Sequence, residues 1–271
     1  TVHLYFQPAE EHGIKSGALS MIRDGLFERF PCDAVFGMHN HPGVPAGTLL
    51  FRRGPFQAAG DNVYITIKGT GGHAARPQLT VDPVVVASSI VMGLQTIVAR
   101  NIDPAQAAVV TVGVLQAGSA NNVIPNSARL ELSVRSFSAE VRALLKERIT
   151  GLVHQQAASY GATAEIEYLM GYPVVINSDR ETEFAIQVAQ ELVGVDRVVP
   201  HTNQLMGSED FAYMLQERPG CYLRIGNGEG EDGCMVHNPG YDFNDHNLPI
   251  GAAYWARLAE RFLSQSQAVE H

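Results

Sequence analysis

The sequence predicts an α/β protein, a helix-covered and mostly parallel sheet interrupted by a ferredoxin-like β-α-β-β-α-β insertion. Three observations predict it. Strand-like and helix-like segments alternate over residues 1–60 and again over 172–271. Between them, over 61–171, the order becomes strand, helix, two strands, helix, strand. Of the 271 residues 45% are hydrophobic, enough for a separate core in each of two domains. The expected division is a first part of the α/β domain at 1–60, the insertion at 61–171 and a second part at 172–271.

Each element follows from its local pattern. Residues 2–6 are apolar and β-prone and read as a strand. A domain rarely begins inside a strand, so the chain is expected to be the C-terminal part of a longer protein. Ser16 reads as the N-cap of a helix through Ala18, Met21, Ile22 and Leu26, weakened near its end by Gly25. Residues 34–38 form the next expected strand. In the insertion, 63–67 alternates as a strand, and Asp82-Pro83 starts a helix to about Ala99. Residues 108–115 and 128–135 are strands. Ser138 opens a helix carrying Leu144, Leu145, Ile149 and Val153 that ends near Gly161, and 163–169 alternates again. Beyond Tyr172-Pro173, 181–193 is an amphipathic helix. Ser208-Glu209-Asp210 opens another, its acids suited to the positive helix end. Residues 222–226 form a strand, 226–233 a glycine-rich loop, and 249–263 a last helix packing through Ala253, Trp255, Leu258 and Phe262.

Composition excludes several function classes. A net charge of -9 argues against nucleic acid or an anionic membrane surface as partner. No apolar stretch is read as approaching the roughly 20 residues that cross a bilayer. Charged residues, at 17%, are too few for a disordered chain. Cys32, Cys221 and Cys234 are too scattered for a disulfide framework and read as reduced thiols in a cytoplasmic protein. No signal peptide is visible.

Three distant stretches carry the chemistry: Gln7-Pro8-Ala9-Glu10-Glu11, Gly37-Met38-His39-Asn40-His41 and His237-Asn238-Pro239-Gly240-Tyr241-Asp242-Phe243. Each places a carboxylate or imidazole where an apolar run ends, and in open α/β sheets functional groups gather beyond the strand ends. Glu, His and His are the ligand types of a hydrolytic metal site. In an extended segment Glu10 and Glu11 point to opposite sides, so one binds metal while the other acts on metal-activated water. Taken singly, a Glu-Glu pair also reads as two solvated acids, and a lone His as a structural residue. His41, two residues beyond His39, reads as a pocket residue. Cys234 lies three residues before His237, but soft thiolate sites usually bring more than one Cys. Asp242 or Asp245 is placed to orient the His237 ring. Within the insertion, Gly69-Thr70-Gly71-Gly72-His73-Ala74 reads as a ligand-approaching or merely flexible loop. Asn121-Asn122-Val123-Ile124-Pro125 reads as a turn, and Arg135 ends a strand where it can grip a carboxylate.

Together with Met206-Gly207-Ser208-Glu209-Asp210-Phe211, these motifs resemble the binuclear metallohydrolase family of aminoacylases and carboxypeptidase G-like enzymes. The closest branch is that of the hippurate hydrolases and N-acyl-amino-acid amidohydrolases. The resemblance runs from Gln7 to the last helix. It implies a metal-dependent amidohydrolase using two divalent ions (Zn, Mn, Co or Ni) on small N-acyl amino acids or short peptides. It implies Glu10 as catalytic base and Glu11, His39 and His237 as metal ligands, with Glu11 and His237 on one ion and His39 on the other. It implies His73 as a second catalytic residue, acting on the partner subunit's site in a homodimer formed by the insertion. Asn122 and Arg135 then approach the substrate carboxylate or oxyanion. Dipeptidases and biosynthetic deacylases share the same hardware. The branch also carries a Cys-Gly-His-Asp segment that supplies a Cys and a His to the metals, and this sequence has none. That leaves open a catalytically incomplete dimerising fragment. Many relatives have His near the position of Gln78, a change expected to tune the pocket or be neutral.

Overall fold

The computed structural model describes residues 1–228 and 234–267. The glycine-rich loop expected at 226–233 therefore lies mostly outside the described residues. In chain order the strands are β1 (Val35–His41), β2 (Leu49–Leu50), β3 (Gly54–Gln57), β4 (Ala59–Lys68), β5 (Gly72–His73), β6 (Ala108–Ala117), β7 (Val123–Ile124), β8 (Ser127–Ser136), β9 (Thr163–Met170), β10 (Val175–Asn177), β11 (Val198–Val199) and β12 (Gly220–Gly226). The α-helices are α1 (Gly17–Arg23), α2 (Leu26–Arg29), α3 (Pro83–Asn101), α4 (Ala139–Ser159), α5 (Asp179–Val193), α6 (Phe211–Glu217) and α7 (Asn247–Gln267). The chain divides into two compact units: Thr1–Phe56 with Val175–Leu205 and Asp210–His271, and Gln57–Val174 with Met206–Glu209.

The first unit is built on a four-stranded sheet in the order β1-β12-β2-β11. β1 runs parallel to β12 and β2 parallel to β11, while β12 and β2 are antiparallel. Helices cover both faces. On one, Phe184, Val188, Tyr254 and Leu258 of α5 and α7 pack against Leu49, Leu223 and Ile225. On the other, Phe27, Phe211 and Met214 of α2 and α6 pack against Val35 and Tyr222. A Cβ on Gly37 would meet the Tyr222 ring at 3.0 Å and the Phe211 ring at 3.2 Å, so a hydrogen is needed there for the helix layer to seat on β1.

Residues 2–6 do not form the expected strand. A strand needs a hydrogen-bonded neighbour, and the one neighbour of β1 among the described residues is β12. Alternation survives without pairing. Val2, Leu4 and Phe6 are exposed, while Tyr5 turns inward, donating its hydroxyl to Phe30 O at 2.9 Å and packing edge-on against Phe27. Between this segment and β1 lies a cleft of about 840 Å³ lined by Leu4, Phe36, Met38, Trp255 and Phe262. The helix expected from Ser16 to Leu26 is also broken. Gly25, at φ 83, separates α1 from α2, and the left-handed conformation it adopts ends a helix at little cost for a residue without Cβ.

The second unit is the ferredoxin-like arrangement. Its antiparallel sheet runs β6-β8-β4-β9, covered on one face by α3 and α4. The period-2 pattern of β8 is literal, with Ala128, Leu130, Leu132 and Val134 buried against Val86, Ile90, Leu94, Leu145 and Ile149. The caps are as read: Asp82 accepts from Val84 N at 2.9 Å and Ser138 from Val141 N at 3.1 Å. α3 corrects one expectation from composition. Its 19 residues, at mean hydropathy 1.5, are long and apolar enough to cross a membrane by length and composition. Its Val86, Ala87, Ile90, Leu94 and Ile97 are buried in the core instead.

Asp61, on β4, is 2% exposed and holds this unit together at its base. Arg142 of α4 donates Nε to both its oxygens at 3.1 Å, Gly171 N donates at 3.0 Å and the Tyr168 hydroxyl at 3.2 Å. Burial together with the Asp61 carboxylate pushes the Tyr168 phenol well above its usual range, so it stays a donor. Removing one partner of a buried pair strands the other charge. Asp61→Ala or Arg142→Ala should cost about 3–5 kcal/mol, read as a lower urea midpoint at unchanged m-value, whereas exposed Arg257→Ala should change it negligibly.

Candidate functional site

Residues 7–16 of the first unit form a tight loop, and its geometry differs from the extended segment read from sequence. Ala9 takes a left-handed conformation (φ 54, ψ 39), and Glu10–Lys15 is a 3-10 turn. Glu10 and Glu11 therefore diverge because they occupy successive positions of a helical turn, not because a strand alternates. Glu10 is half-buried and Glu11 exposed. The loop is tied down by Asp210, which is fully buried. Its Oδ1 accepts a short hydrogen bond from Gln7 Nε2, and its Oδ2 accepts from Ala18 N at 2.9 Å. Ser16 stands at the N-cap of α1 but makes no side-chain cap bond, and the Asp210 carboxylate takes that role from a distant segment. As expected from the acids of 208–210, a helix starts here: α6 begins at Phe211 with Asp210 at its N-cap position, while the Asp210 side chain serves α1. A Cβ on Gly17 would fall 1.7 Å from Pro8 O, so the loop can lie across α1 only over glycine.

β1 carries His39 and His41 two residues apart, hence on one face of the sheet. His39 Nδ1 lies 2.5 Å from Asn40 O, which places the ring proton on Nδ1 and leaves the Nε2 lone pair for a ligand. The parallel register sets Arg224 of β12 beside His39, and its guanidinium reaches His41 Nδ1 at 3.1 Å. Burial, then the Arg224 charge, lowers the His41 pKa; His39 is lowered by burial first, with Glu11 and His237 among the charges it feels. Both rings are thereby kept in the neutral form a metal needs. His237 Nε2 lies 3.3 Å from Glu11 Oε1. The residue holds φ 68 although it is not glycine, a conformation that costs on the order of 1 kcal/mol and recurs at functional sites. Cys234 Sγ contacts Asn238 Oδ1 at 3.9 Å. Asp242 offers its backbone carbonyl to Asn227, and the carboxylate beside His237 is that of Glu11.

In the second unit, β5 and β7 pair antiparallel with His73 opposite Val123, and Ala74 N donates to Asn122 O at 3.0 Å. The strand-like pairing brings His73 and Asn122, 49 positions apart in sequence, to one small ribbon. Ala75 N donates to His73 Nδ1 at 3.1 Å. The neutral ring then carries its proton on Nε2, on an exposed side chain able to donate it to an oxyanion. Arg135 ends β8 half-buried, with Nη1 donating to Ser208 Oγ at 2.9 Å. Among the described residues no carboxylate forms an ion pair with it. Sequence reading missed Arg224, Ser208 and the tie made by Asp210. A single Arg inside an apolar strand was the one available signal for the first.

The peptidase family M20/M25/M40 pattern matches residues 1–261. The chain is 38% identical to the hippurate hydrolase of Campylobacter jejuni over 262 residues, 97% of this chain and 67% of that protein. It is 38% identical to the N-acetylcysteine deacetylase of Bacillus subtilis, over 96% of this chain and 66% of the relative. Among solved structures it is similar to the YXEP protein of Bacillus subtilis, described as a dinuclear metal binding peptidase of the M20 family. That match has a TM-score of 0.78 and 33% identity, and covers 96% of this chain and 64% of the other. The chain belongs to peptidase family M20/M25/M40. It spans about two thirds of the length of the relatives it matches.

Two expectations follow. Asp210→Asn keeps size but trades a charged acceptor for a neutral one, and should cost about 1–3 kcal/mol and raise proteolytic cleavage within residues 7–16. If Glu11, His39 and His237 are the ligands, they are fewer than two closed metal sites need. Zinc titrated into the 271-residue chain against a chelating dye should therefore bind weakly, and Glu11→Gln should abolish that binding. Two tightly held ions per chain would mean that other residues complete the site.

Proposed function

We propose that this chain forms the larger part of a metal-dependent amidohydrolase that cleaves the amide bond of N-acyl amino acids, hippurate-like ones among them. The observation that carries the reading is the pair of Glu11 and His237 at 3.3 Å, whose charges reach a backbone-oriented His39 from a third distant stretch. Carboxylate oxygen and imidazole nitrogen suit Zn, Mn, Co or Ni, and these three residues would hold two such ions between them. Bound divalent metal supplies Lewis acidity and activates water at neutral pH.

The chain's own residues do the rest. Glu10, half-buried beside the ligand Glu11, takes the proton of the attacking water and delivers it to the leaving amine nitrogen. His73 donates Nε2–H to the oxyanion that forms on the scissile carbonyl, with Asn122 beside it. In a homodimer assembled through residues 61–171, His73 would be supplied by the partner subunit. Arg135 pairs with the substrate's carboxylate, and His41, held by Arg224, lines the pocket. The names of the hippurate hydrolase and N-acetylcysteine deacetylase relatives support this substrate class.

In the full-length protein, Glu10→Gln should leave bound metal unchanged and lower turnover of N-benzoylglycine roughly 10²–10⁴-fold, and full activity would remove Glu10 from the role of base. Parallel assays with N-acetyl amino acids and dipeptides separate the amidohydrolase from a deacylase or dipeptidase. Mixing His73→Ala with Glu10→Gln subunits should restore part of the activity if His73 acts on the partner's site. No recovery after verified subunit exchange would confine His73 to its own chain.

A further inference from the structure

We propose that Gly60 and Ser208 are positioning residues that aim the Arg135 guanidinium at the substrate's carboxylate; this rests on the N-acyl amino acid reading above. Gly60 and Arg135 face each other directly across β4 and β8, so their side-chain positions lie on the same face of the sheet. The arginine does not stand upright from that face. A Cβ on Gly60 would fall 2.1 Å from Arg135 Nη1 and 3.0 Å from its Cζ, and 3.0 Å from Ser208 Oγ. The guanidinium thus lies across the space that any side chain at 60 would fill. Gly60 N makes an ordinary strand-end hydrogen bond to Tyr172 O at 3.1 Å, and its φ lies outside the left-handed region, so space and not backbone freedom requires glycine.

Ser208 holds the same nitrogen. Its Oγ accepts from Nη1 at 2.9 Å, which leaves the hydroxyl hydrogen free to point at an acceptor. The remaining guanidinium donors form a planar fork suited to a carboxylate. The group is half-buried, and Asp61 is the one carboxylate whose charge it feels. Asp61 is itself committed to Arg142, Tyr168 and Gly171. A cation whose Nη1 lies over the glycine and is held there by a hydroxyl presents its other donors to a carboxylate in one orientation. An uncharged carboxamide in the same place gains much less.

The test compares N-benzoylglycine with N-benzoylglycinamide, which differ at the carboxylate. Binding of each to the metal-loaded full-length protein is measured by ligand NMR, and the Arg135 Nε–H resonance is followed in parallel. Arg135→Ala should erase the preference for the acid. Ser208→Ala and Gly60→Ala should each reduce that preference roughly five- to tenfold, shift the Arg135 Nε–H signal and leave amide binding unchanged. Ser208→Thr, which keeps the hydroxyl, should restore both. If the wild type shows no preference, or Arg135→Ala leaves it intact, the substrate reading fails. If Arg135→Ala erases it while Ser208→Ala, a small change that leaves folding undisturbed, keeps both the preference and the resonance, the positioning role is overturned.

Discussion

The candidate site depends on one buried carboxylate. Asp210 lies just before α6, far from residues 7–18 in sequence, yet it accepts from Gln7 Nε2 and from Ala18 N. Taken out of water, a carboxylate must find donors or pay a large desolvation cost. This one finds them at both ends of a single loop. The consequence is that Pro8, Ala9, Glu10 and Glu11 are suspended between two fixed points, with Gly17 leaving room for Pro8 O beneath them. The left-handed Ala9 and the 3-10 turn that follows are what a chain must do to bridge those points.

The second unit uses the same device. Asp61 draws in Arg142 from α4, the Tyr168 hydroxyl from β9 and the backbone N–H of Gly171. Sheet and helix layer are thereby joined where β4 begins and β9 ends. One position before Asp61 comes Gly60, over which Arg135 lies. A residue that secures the fold and one that leaves room for a functional side chain are thus neighbours. Rigidity at Asp61 is what makes a fixed direction for Arg135 available.

Electrostatics within the first unit favour neutral imidazoles on β1. Arg224 stands beside His39 and His41, and with burial it opposes their protonation. Glu11 and His237 are both exposed and contribute little to stability as an ion pair. Their juxtaposition is consistent with the ligand roles proposed for them above. The non-glycine φ of His237 fits the same view, since local strain of this kind persists where the surrounding structure imposes it.

Much of this protein was legible from sequence because its signals are local. The period-2 burial of β8, the Asp82 and Ser138 caps and the β-α-β-β-α-β order follow from patterns within a few residues. Family membership followed from six motifs taken together and is borne out. What failed, failed where distant partners decide. Residues 2–6 have the composition of a strand, but a strand exists only with a hydrogen-bonded neighbour. Ser16 has the identity of a cap, but Asp210 does the capping. Residues 208–210 do lead into α6, but the Asp210 side chain turns to α1 and that of Ser208 to Arg135. The sequence by itself determined which residue types the site contains and which segments form its layers, because composition and periodicity act over short range. Only the tertiary structure decided which way each functional side chain points, because that depends on hydrogen bonds and close approaches between residues far apart in the chain.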